Sequence, residues 1–338
     1  MILRTDFASD NTAGAAPEAL RALTDANSGF QASYGEDQVT ARAADLIRGM
    51  LDTDAEVRFV TSGTAANALA LGALCRPFEA VLAHEHSHIV TSETGAPAFY
   101  GGGLTIVGLP GDSGRIDLAA LQAAADQPDS AHHPSPAVLS LTNSTEYGAL
   151  YSLDRMRALI ETAKAAQPEL KVHLDGARLA QAAAAGLDVT KLAEIGVGLL
   201  IFGGTKAGMS PTEAIILFDK TLARRFDARL KQGGQLPSKS RFYAAPWVGM
   251  LESGALIERA RHANAMAQRL AQAQPFELAH PVDTNGVFVK MPQETLAAAH
   301  AAGWEIHPMA DGSVRLMCSW ATTEALVEEV AAVLRGLV

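Results

Sequence analysis

The chain has 338 residues, enough for two domains or one large one, and 48% of them are hydrophobic, so composition excludes a disordered chain. A net charge of −10 argues against nucleic acid or an anionic membrane surface as the general partner. Cys75 and Cys318 form no CxxC pair, which argues against a disulfide framework or a zinc site. The N-terminus does not resemble a signal peptide and no apolar run is long enough to span a bilayer, so we expect a cytoplasmic protein.

Short β-rich runs alternate with helical stretches rich in alanine and leucine along most of the chain. The runs are EVRFV (56–60), EAVLAHE (79–85), LTIVGLP (104–110), AVLSLTN (137–143), KVHLDGA (171–177), VGLLIFGG (197–204) and EAIILFD (213–219). The helical patterns between them cover 64–75, 117–126, 153–166 and 177–186. Apolar strands with helical crossovers predict an α/β fold, in which a mostly parallel seven-stranded sheet lies between helices.

The sequence changes in character at residues 231–247, where glycines, prolines, basic residues and aromatics predict a loop or exposed connector. A long helical pattern follows over 247–273, and a smaller α+β pattern then extends to the end of the chain. We therefore predict a large domain at 1–245, which includes an N-terminal arm, and a small C-terminal α+β domain at 246–338.

Residues 61–67 read Thr-Ser-Gly-Thr-Ala-Ala-Asn and join the first β-rich run to an apolar helical pattern. Gly63 permits a tight turn and Thr64 can cap the helix. The free N–H groups and the dipole at a helix start favour an anion. The segment is consistent with a phosphate site, and also with an ordinary capped turn.

Two charged residues stand just after apolar runs. Asp175 in HLDGARL lies where a strand ends, which is the edge at which open α/β sheets bind ligands, although a helix cap gives the same pattern. Lys206 in FGGTKAG follows two glycines, and lost solvation there would lower the pKa of its amine and make it nucleophilic. A lysine exposed in a turn is the alternative. Arg178 is available to pair with Asp175 or with a substrate acid.

Several histidines stand near the ends of predicted strands. His84, His86 and His88 alternate, but no matching set of acids or cysteines accompanies them, so no metal site is predicted. A single imidazole that lines a cleft is the preferred interpretation for His88. His132 lies in a predicted loop before AVLSLTN, and a surface role is the alternative for both residues.

Taken together, these motifs indicate one kind of site more specifically than any of them does alone. A glycine–threonine helix start, a later histidine, an aspartate at one strand end and a lysine at another strand end follow in that order. Pyridoxal phosphate requires N–H donors for its phosphate, a stacking face, a carboxylate for its ring nitrogen and a lysine for its aldehyde. The sequence therefore predicts a pyridoxal-phosphate enzyme.

At these residues the sequence resembles the L-threonine aldolases of the low-specificity type, in the β-eliminating lyase group of fold-type-I pyridoxal-phosphate enzymes. The resemblance extends over nearly the whole chain, and HLDGARL at 173–179 is its most specific stretch. The other segments that resemble the family are Ser9-Asp10, 34–37, Gly63-Thr64 with Asn67, 87–89 with Glu93, and 314–316 followed by Ser319-Trp320.

The resemblance implies a role for each cofactor residue. Lys206 would bond covalently to the cofactor aldehyde, and Asp175 would pair with the pyridine nitrogen. His88 would stack on the ring and take part in catalysis. Gly63 and Thr64 would hold the phosphate.

Four residues are implied around the substrate. Ser9, Arg178 and Arg315 would contact the substrate carboxylate or the phenolic oxygen of the cofactor. His132 aligns without gaps with a histidine that contacts the substrate hydroxyl, so His132 or His88 is the candidate base.

Three segments depart from the family pattern. Thr205 precedes the lysine where the family commonly has serine, and 142–146 lacks the usual Glu-Asn-Thr-His order. The glycine-rich loop lacks its usual arginine, so Lys231 or Lys239 would supply the charge. These differences indicate a divergent branch.

The resemblance implies cleavage of L-threonine, L-allo-threonine and related L-β-hydroxy-α-amino acids to glycine and an aldehyde, as in threonine catabolism. It also implies a homodimer or homotetramer with shared active sites. The cofactor residues serve β-elimination, transamination and decarboxylation equally well, and a preference for phenylserine-type substrates also stays open. A nucleotide-binding protein is disfavoured because SGTAAN lacks the GxGxxG and Walker spacings.

Overall fold

The computed structural model describes residues 4–128 and 130–338, in which strands and helices alternate. The strands are β1 (Glu56–Val60), β2 (Glu79–His84), β3 (Thr105–Leu109), β4 (Gly111–Asp112), β5 (Arg115–Ile116), β6 (Ser135–Thr142), β7 (Lys171–Gly176), β8 (Leu199–Gly203), β9 (Glu213–Leu217), β10 (Gly286–Val289), β11 (His307–Pro308) and β12 (Val314–Met317). The helices are α1 (Pro17–Ala26), α2 (Gln38–Leu51), α3 (Gly63–Leu74), α4 (His88–Thr91), α5 (Ala96–Tyr100), α6 (Leu118–Ala125), α7 (Leu153–Ala166), α8 (Leu179–Ala184), α9 (Phe226–Gln232), α10 (Arg241–Glu252), α11 (Ala255–Ala273), α12 (Gln293–Ala301) and α13 (Glu324–Arg335).

The central sheet of the described residues has seven strands in the order β1-β9-β8-β7-β6-β2-β3. Strand β9 is antiparallel to both of its neighbours, and the other pairs are parallel. Along β8, Leu200 and Phe202 enter the core on one face while Leu199 and Ile201 enter the core on the other. Both faces are therefore covered by helices, as parallel sheets require, and the prediction of a mostly parallel seven-stranded α/β fold is confirmed.

Side-chain caps set where several helices begin. Asp37 accepts the backbone N–H of Thr40 at the start of α2, and Ser152 accepts that of Arg155 at the start of α7. These contacts satisfy donors that a helix leaves free in its first turn. Helix α3 begins at Gly63, three residues after the end of β1, so its first turn lies near the carboxyl end of that strand.

A three-stranded antiparallel sheet in the order β10-β12-β11 lies near the C-terminus. Helices α11 and α13 pack against it, and Val287, Leu316 and Val330 belong to its core. The N-terminal arm joins this unit, because Phe7 lies in the same core and its carbonyl accepts the N–H of Met317 at 2.9 Å.

The connector predicted at 231–247 is wrong over its second half. Helix α10 begins at Arg241, tolerates Pro246, and buries Trp247 completely. The helical pattern predicted over 247–273 breaks after this helix, where Gly254 has φ +75°. The domain boundary predicted between 245 and 246 falls inside α10, so the division into two domains stays a prediction. No helix in the described ranges is long and apolar enough to cross a membrane.

Candidate active site

Polar side chains meet where the central strands of the sheet end. Asp175 is the next-to-last residue of β7, pairs in register with Thr142 of β6, and lies beside β8. Lys206 follows β8 in a short 3₁₀ turn. Because these strands are parallel neighbours, Asp175 and Lys206 reach the same edge of the sheet, which is where α/β proteins bind ligands.

Asp175 is held by two donors at this edge. Its Oδ1 accepts the N–H of Ala177 at 2.9 Å, and its Oδ2 accepts the side-chain amide of Asn67 at 2.9 Å. The same amide nitrogen donates to Oε1 of Glu93 at 2.8 Å. All three side chains are buried, so the carboxylate of Asp175 has a fixed position.

His88 is the first residue of α4 and its ring is anchored on one side only. Its Nδ1 lies 2.8 Å from Oε1 of Glu93, whose side chain is fully buried, whereas 43% of the His88 side chain is exposed. This contact fixes the plane of the imidazole and leaves a ring face free. A planar ligand can therefore stack on His88, as the sequence predicts.

Lys206 has an environment that favours the neutral amine. Burial lowers the pKa of this amine, and the nearby positive charge of Arg178 lowers it further. The carboxylates of Asp10, Asp175 and Glu213 oppose the shift without reversing it. A lysine whose pKa is lowered in this way is a nucleophile suited to attack an aldehyde.

The start of α3 offers donors for an anion. Ser62 caps the N–H of Ala65 at 3.3 Å, whereas the N–H groups of Gly63 and Thr64 have no partner among the described residues. Apart from its chain neighbours and the backbone of its own helix, nothing among the described residues lies within 4 Å of where a Cβ on Gly63 would stand. Free amides, open space and the helix dipole fit a phosphate group.

The guanidinium of Arg178 is already paired with a carboxylate of the same chain. Its Nε and Nη2 donate to the two carboxylate oxygens of Asp10 at 2.7 and 3.0 Å, and Asn285 donates to Asp10 as well. Burial opposes the charged form of Arg178, but the attraction of Asp10 outweighs burial and raises the pKa of the guanidinium. Asp10 therefore occupies Nε and Nη2 of Arg178 in this structure. A contact of Arg178 with the substrate carboxylate or the cofactor is left to Nη1 and stays a prediction.

Arg315 in β12 retains capacity for an anion. Its Nη2 donates to the carbonyl of Ala8 at 3.0 Å, and its buried Nε has no partner among the residues described. Burial, and then the charge of Arg178, lower the pKa of this guanidinium, which an anionic ligand would offset. Ser9 follows Ala8 and is half-buried, and its Oγ accepts the N–H of Asn11 at 3.2 Å.

The structure places His132 away from this site. His132 lies in an exposed turn before β6, whereas Asp175 lies beside the last residue of that strand. The eight residues of β6 separate the two ends, which at about 3.3 Å per residue is more than 20 Å. Within this chain, His132 therefore does not meet Asp175 and Lys206, and its roles toward the substrate hydroxyl and as a base stay predictions.

Two acids near the site were not predicted: Glu213 is buried, and Glu146 is partly buried with a buried Oε2. Glu213 accepts the N–H of Gly204 at 2.7 Å, and burial raises its pKa to about 7. Glu146 accepts the N–H of His88 at 2.7 Å, and burial followed by the charge of Asp175 raises its pKa to about 7. The sequence carried one signal for them, an acid beside an otherwise apolar strand.

Comparison with known proteins places the chain in one family. The family model described as beta-eliminating lyase matches residues 6–294. A low specificity L-threonine aldolase of Pseudomonas sp. (strain NCIMB 10558) is 43% identical over 98% of this chain and 97% of its own length. The low specificity L-threonine aldolase of Pseudomonas aeruginosa is 42% identical over 96% of this chain and 95% of its own length.

A solved structure agrees with the sequence matches. The threonine aldolase of Leishmania major superposes with a TM-score of 0.90 at 30% identity, covering 98% of each chain. The chain belongs to the beta-eliminating lyase family.

Proposed function

We propose that this chain is a pyridoxal-phosphate-dependent aldehyde-lyase that cleaves L-threonine, L-allo-threonine and related L-β-hydroxy-α-amino acids to glycine and an aldehyde. The observation that carries the proposal is the meeting of a fixed carboxylate, Asp175, and a lysine of lowered pKa, Lys206, at the ends of adjacent parallel strands. The two Pseudomonas relatives supply the reaction class.

The cofactor residues have distinct tasks. When bound, pyridoxal phosphate supplies a sink for the electron pair left at Cα. The Lys206 amine would hold the cofactor aldehyde, and Asp175 would keep the proton on its ring nitrogen. His88 would cover one face of the ring, with its own plane set by Glu93.

The binding residues hold the two anionic ends of the ligands. The free N–H groups of Gly63 and Thr64 would bind the phosphate. Arg315 would bind the substrate carboxylate, with Ser9 beside it, and this orients the Cα substituents relative to the ring. Arg178 would keep a cofactor contact only through Nη1, which Asp10 leaves free.

The test is a visible absorption spectrum with pyridoxal phosphate, combined with a product assay on L-threonine. Wild type is expected to show the band of a lysine-bound cofactor and to release glycine and acetaldehyde in equal amounts. Lys206→Ala should lose both, whereas Lys191→Ala, at an exposed ion pair, should keep both. A keto acid and ammonia in place of glycine and aldehyde would instead indicate β-elimination.

We also propose a cytoplasmic homodimer or homotetramer with shared sites. Its support is an exposed aromatic region, in which Phe30 is fully exposed and Lys231 lies 4.4 Å from the ring of Tyr34. Lys231 or Lys239 would then serve a neighbouring subunit. Sedimentation of the purified protein measures the assembly.

A further inference from the structure

Glu146 stands next to the site without a role in the functions described so far. It follows the carboxyl end of β6, whose last residue, Thr142, is in register with Asp175. The next residue, Asn143, donates its backbone N–H to the carbonyl of Asp175 at 2.9 Å, so the chain after β6 stays hydrogen-bonded to β7. The segment that carries Glu146 therefore starts at the sheet edge that holds Asp175.

The two carboxyl oxygens of Glu146 have different surroundings. Oε1 accepts the backbone N–H of His88 at 2.7 Å, which fixes the side chain against the segment that carries the stacking ring. Oε2 is buried and has no hydrogen-bond partner among the described residues. A buried oxygen without a donor is costly in a folded protein, and a ligand hydroxyl would satisfy it.

The electrostatic surroundings suit proton transfer. Burial, and then the negative charge of Asp175, raise the pKa of Glu146 to about 7, while the N–H of His88 opposes the shift. The other titratable groups that face it are Arg178, whose charge it stabilises, and the hydroxyls of Tyr147 and Tyr151. A carboxyl that titrates near neutral pH is suited to act as a general base and then as a general acid.

We propose that Glu146 is the general base that accepts the proton of the substrate β-hydroxyl, an inference that rests on the proposed function. As the Cα–Cβ bond breaks, the carboxylate takes the hydroxyl proton and the O–H electron pair forms the second bond of the aldehyde carbonyl. The Cα–Cβ pair stays with the glycine fragment, which later gains one proton at Cα. The proton taken from oxygen balances the proton gained by carbon, so turnover consumes no net proton.

His88 is the competing candidate. Its Nδ1 already faces Glu93, and stacking on the cofactor would point its face, rather than a ring nitrogen, at the ligand. Glu146 accepts the backbone N–H of the same residue through Oε1, and its Oε2 has no partner among the described residues. The geometry therefore favours the carboxylate over the imidazole.

The variant to test is Glu146→Gln, since glutamine keeps an oxygen for the N–H of His88 but cannot accept the proton. We expect the spectrum of the bound cofactor to be unchanged and kcat for L-threonine to fall about 10²- to 10⁴-fold. Exchange of the α-proton of glycine with deuterated water needs no hydroxyl transfer, so it should stay within about threefold of wild type on the same argument. Glu79→Gln is the matched control, because Glu79 also accepts a backbone N–H, from Arg76 at 2.7 Å, at the opposite end of the sheet.

The pH dependence of the activity and the titration of the Glu146 carboxyl provide two further tests. A base must be deprotonated, so kcat/KM of wild type should rise as pH increases through about 7, and Glu146→Gln should lose this rise. In the protein without cofactor, difference infrared spectroscopy should detect Glu146 and Glu213 titrating near pH 7, and the variant should lose one of the two.

Three outcomes would overturn the inference. If Glu146→Gln loses threonine cleavage and glycine exchange equally, Glu146 has a structural role. If the variant cleaves threonine as fast as wild type, Glu146 takes no part in proton transfer. If wild type exchanges the glycine proton but makes no glycine and acetaldehyde from threonine, the proposed function fails and the inference fails with it. If wild type makes glycine and acetaldehyde and the variant gives either of the first two results, the inference about Glu146 fails while the proposed function stands.

Discussion

The Asp10–Arg178 pair is an ion pair at which burial and charge work against each other. Burial alone would raise the pKa of Asp10 above its ordinary value of 3.8, but the attraction and hydrogen bonds of Arg178 lower it overall. The pair is nearly free of solvent, with 12% of the arginine side chain and none of the aspartate exposed. Removing one partner leaves a buried charge without its counterpart.

Asp10→Asn is expected to destabilise the protein by about 3 to 5 kcal/mol, the usual cost of an unpaired buried charge. Urea unfolding at neutral pH measures this difference, and Asp6→Asn, at a half-exposed pair with Arg4, should change stability by less than about 1 kcal/mol.

The pH dependence of this difference has a definite sign. Because the folded pKa of Asp10 is depressed, the stability it contributes is present above the unfolded pKa and is lost as pH falls through the folded pKa. The gap between wild type and Asp10→Asn should therefore be constant from about pH 5 to 8 and should shrink below about pH 4. A gap that stays constant in acid would contradict the ion pair as its source.

Sequence alone predicted those site residues that lie at strand ends. Asp175 and Lys206 could be found because a buried strand, once recognised, fixes which residue emerges at its carboxyl end. The partner of Arg178 could not be found, because Asp10 lies 168 positions away. For His132, which lies in an exposed turn before β6, the sequence could not tell which end of that strand its loop adjoins.

At the scale of elements, close approach between β8 and the segment after β7 positions the lysine. A Cβ on Gly203 would lie 2.2 Å from the carbonyl oxygen of Ala177, so only glycine fits there. Gly204 is similarly constrained by the carbonyl of Thr212 at 2.6 Å. Gly203 thus allows the backbone before Lys206 to pack against the backbone after Asp175, and Gly204 allows it to pack against the residue that precedes β9.

Gly203→Ala is expected to push the two segments apart and to weaken cofactor binding at least about tenfold, the equivalent of about 1.4 kcal/mol. Titration with pyridoxal phosphate, followed by its absorption, measures the change. Gly198→Ala is the control, since a Cβ there would meet the carbonyl of Val172 at an ordinary 3.6 Å. Equal binding by wild type and Gly203→Ala would show that the backbone absorbs the clash without moving the lysine.

Strands were easier to predict than helices. All seven strands of the main sheet coincide with apolar runs, and the inner strands β8 and β9 are nearly continuously hydrophobic because both of their faces are buried. The first half of helix α10 was missed since its arginine, proline and aromatics are typical of a loop, whereas packing of Trp247 on Phe202 holds this segment in the core.

At the scale of the molecule, the N-terminal arm crosses from the large sheet to the small one. Phe7 is fully buried and packs on Trp304 with ring centroids 5.8 Å apart, and the next residue, Ala8, accepts a hydrogen bond from Arg315. The arm therefore supports the residue proposed to bind the substrate carboxylate. Asp10, two positions further along, holds Arg178.

Phe7→Ala should destabilise the protein by about 3 to 5 kcal/mol and should raise KM for threonine more than it lowers kcat. The reason is that the cavity loosens the arm near Arg315 while leaving Asp175 and Lys206 in place. Unfolding in urea and steady-state kinetics measure the two effects. Phe78→Ala, at a side chain that is 67% exposed, should change neither, and an unchanged KM for Phe7→Ala would separate the arm from substrate binding.

The side-chain amide of Asn67 links the effects of substitutions at several residues of the candidate active site. A single nitrogen donates to both Glu93 and Asp175, so the orientation of His88 and the position of the Asp175 carboxylate share one support. Free-energy changes caused by substitutions at 67, 93 and 175 should therefore not add, and double-mutant cycles should give coupling energies of about 0.5 to 3 kcal/mol. Homologous chains are accordingly expected to conserve these three positions together or to replace them together.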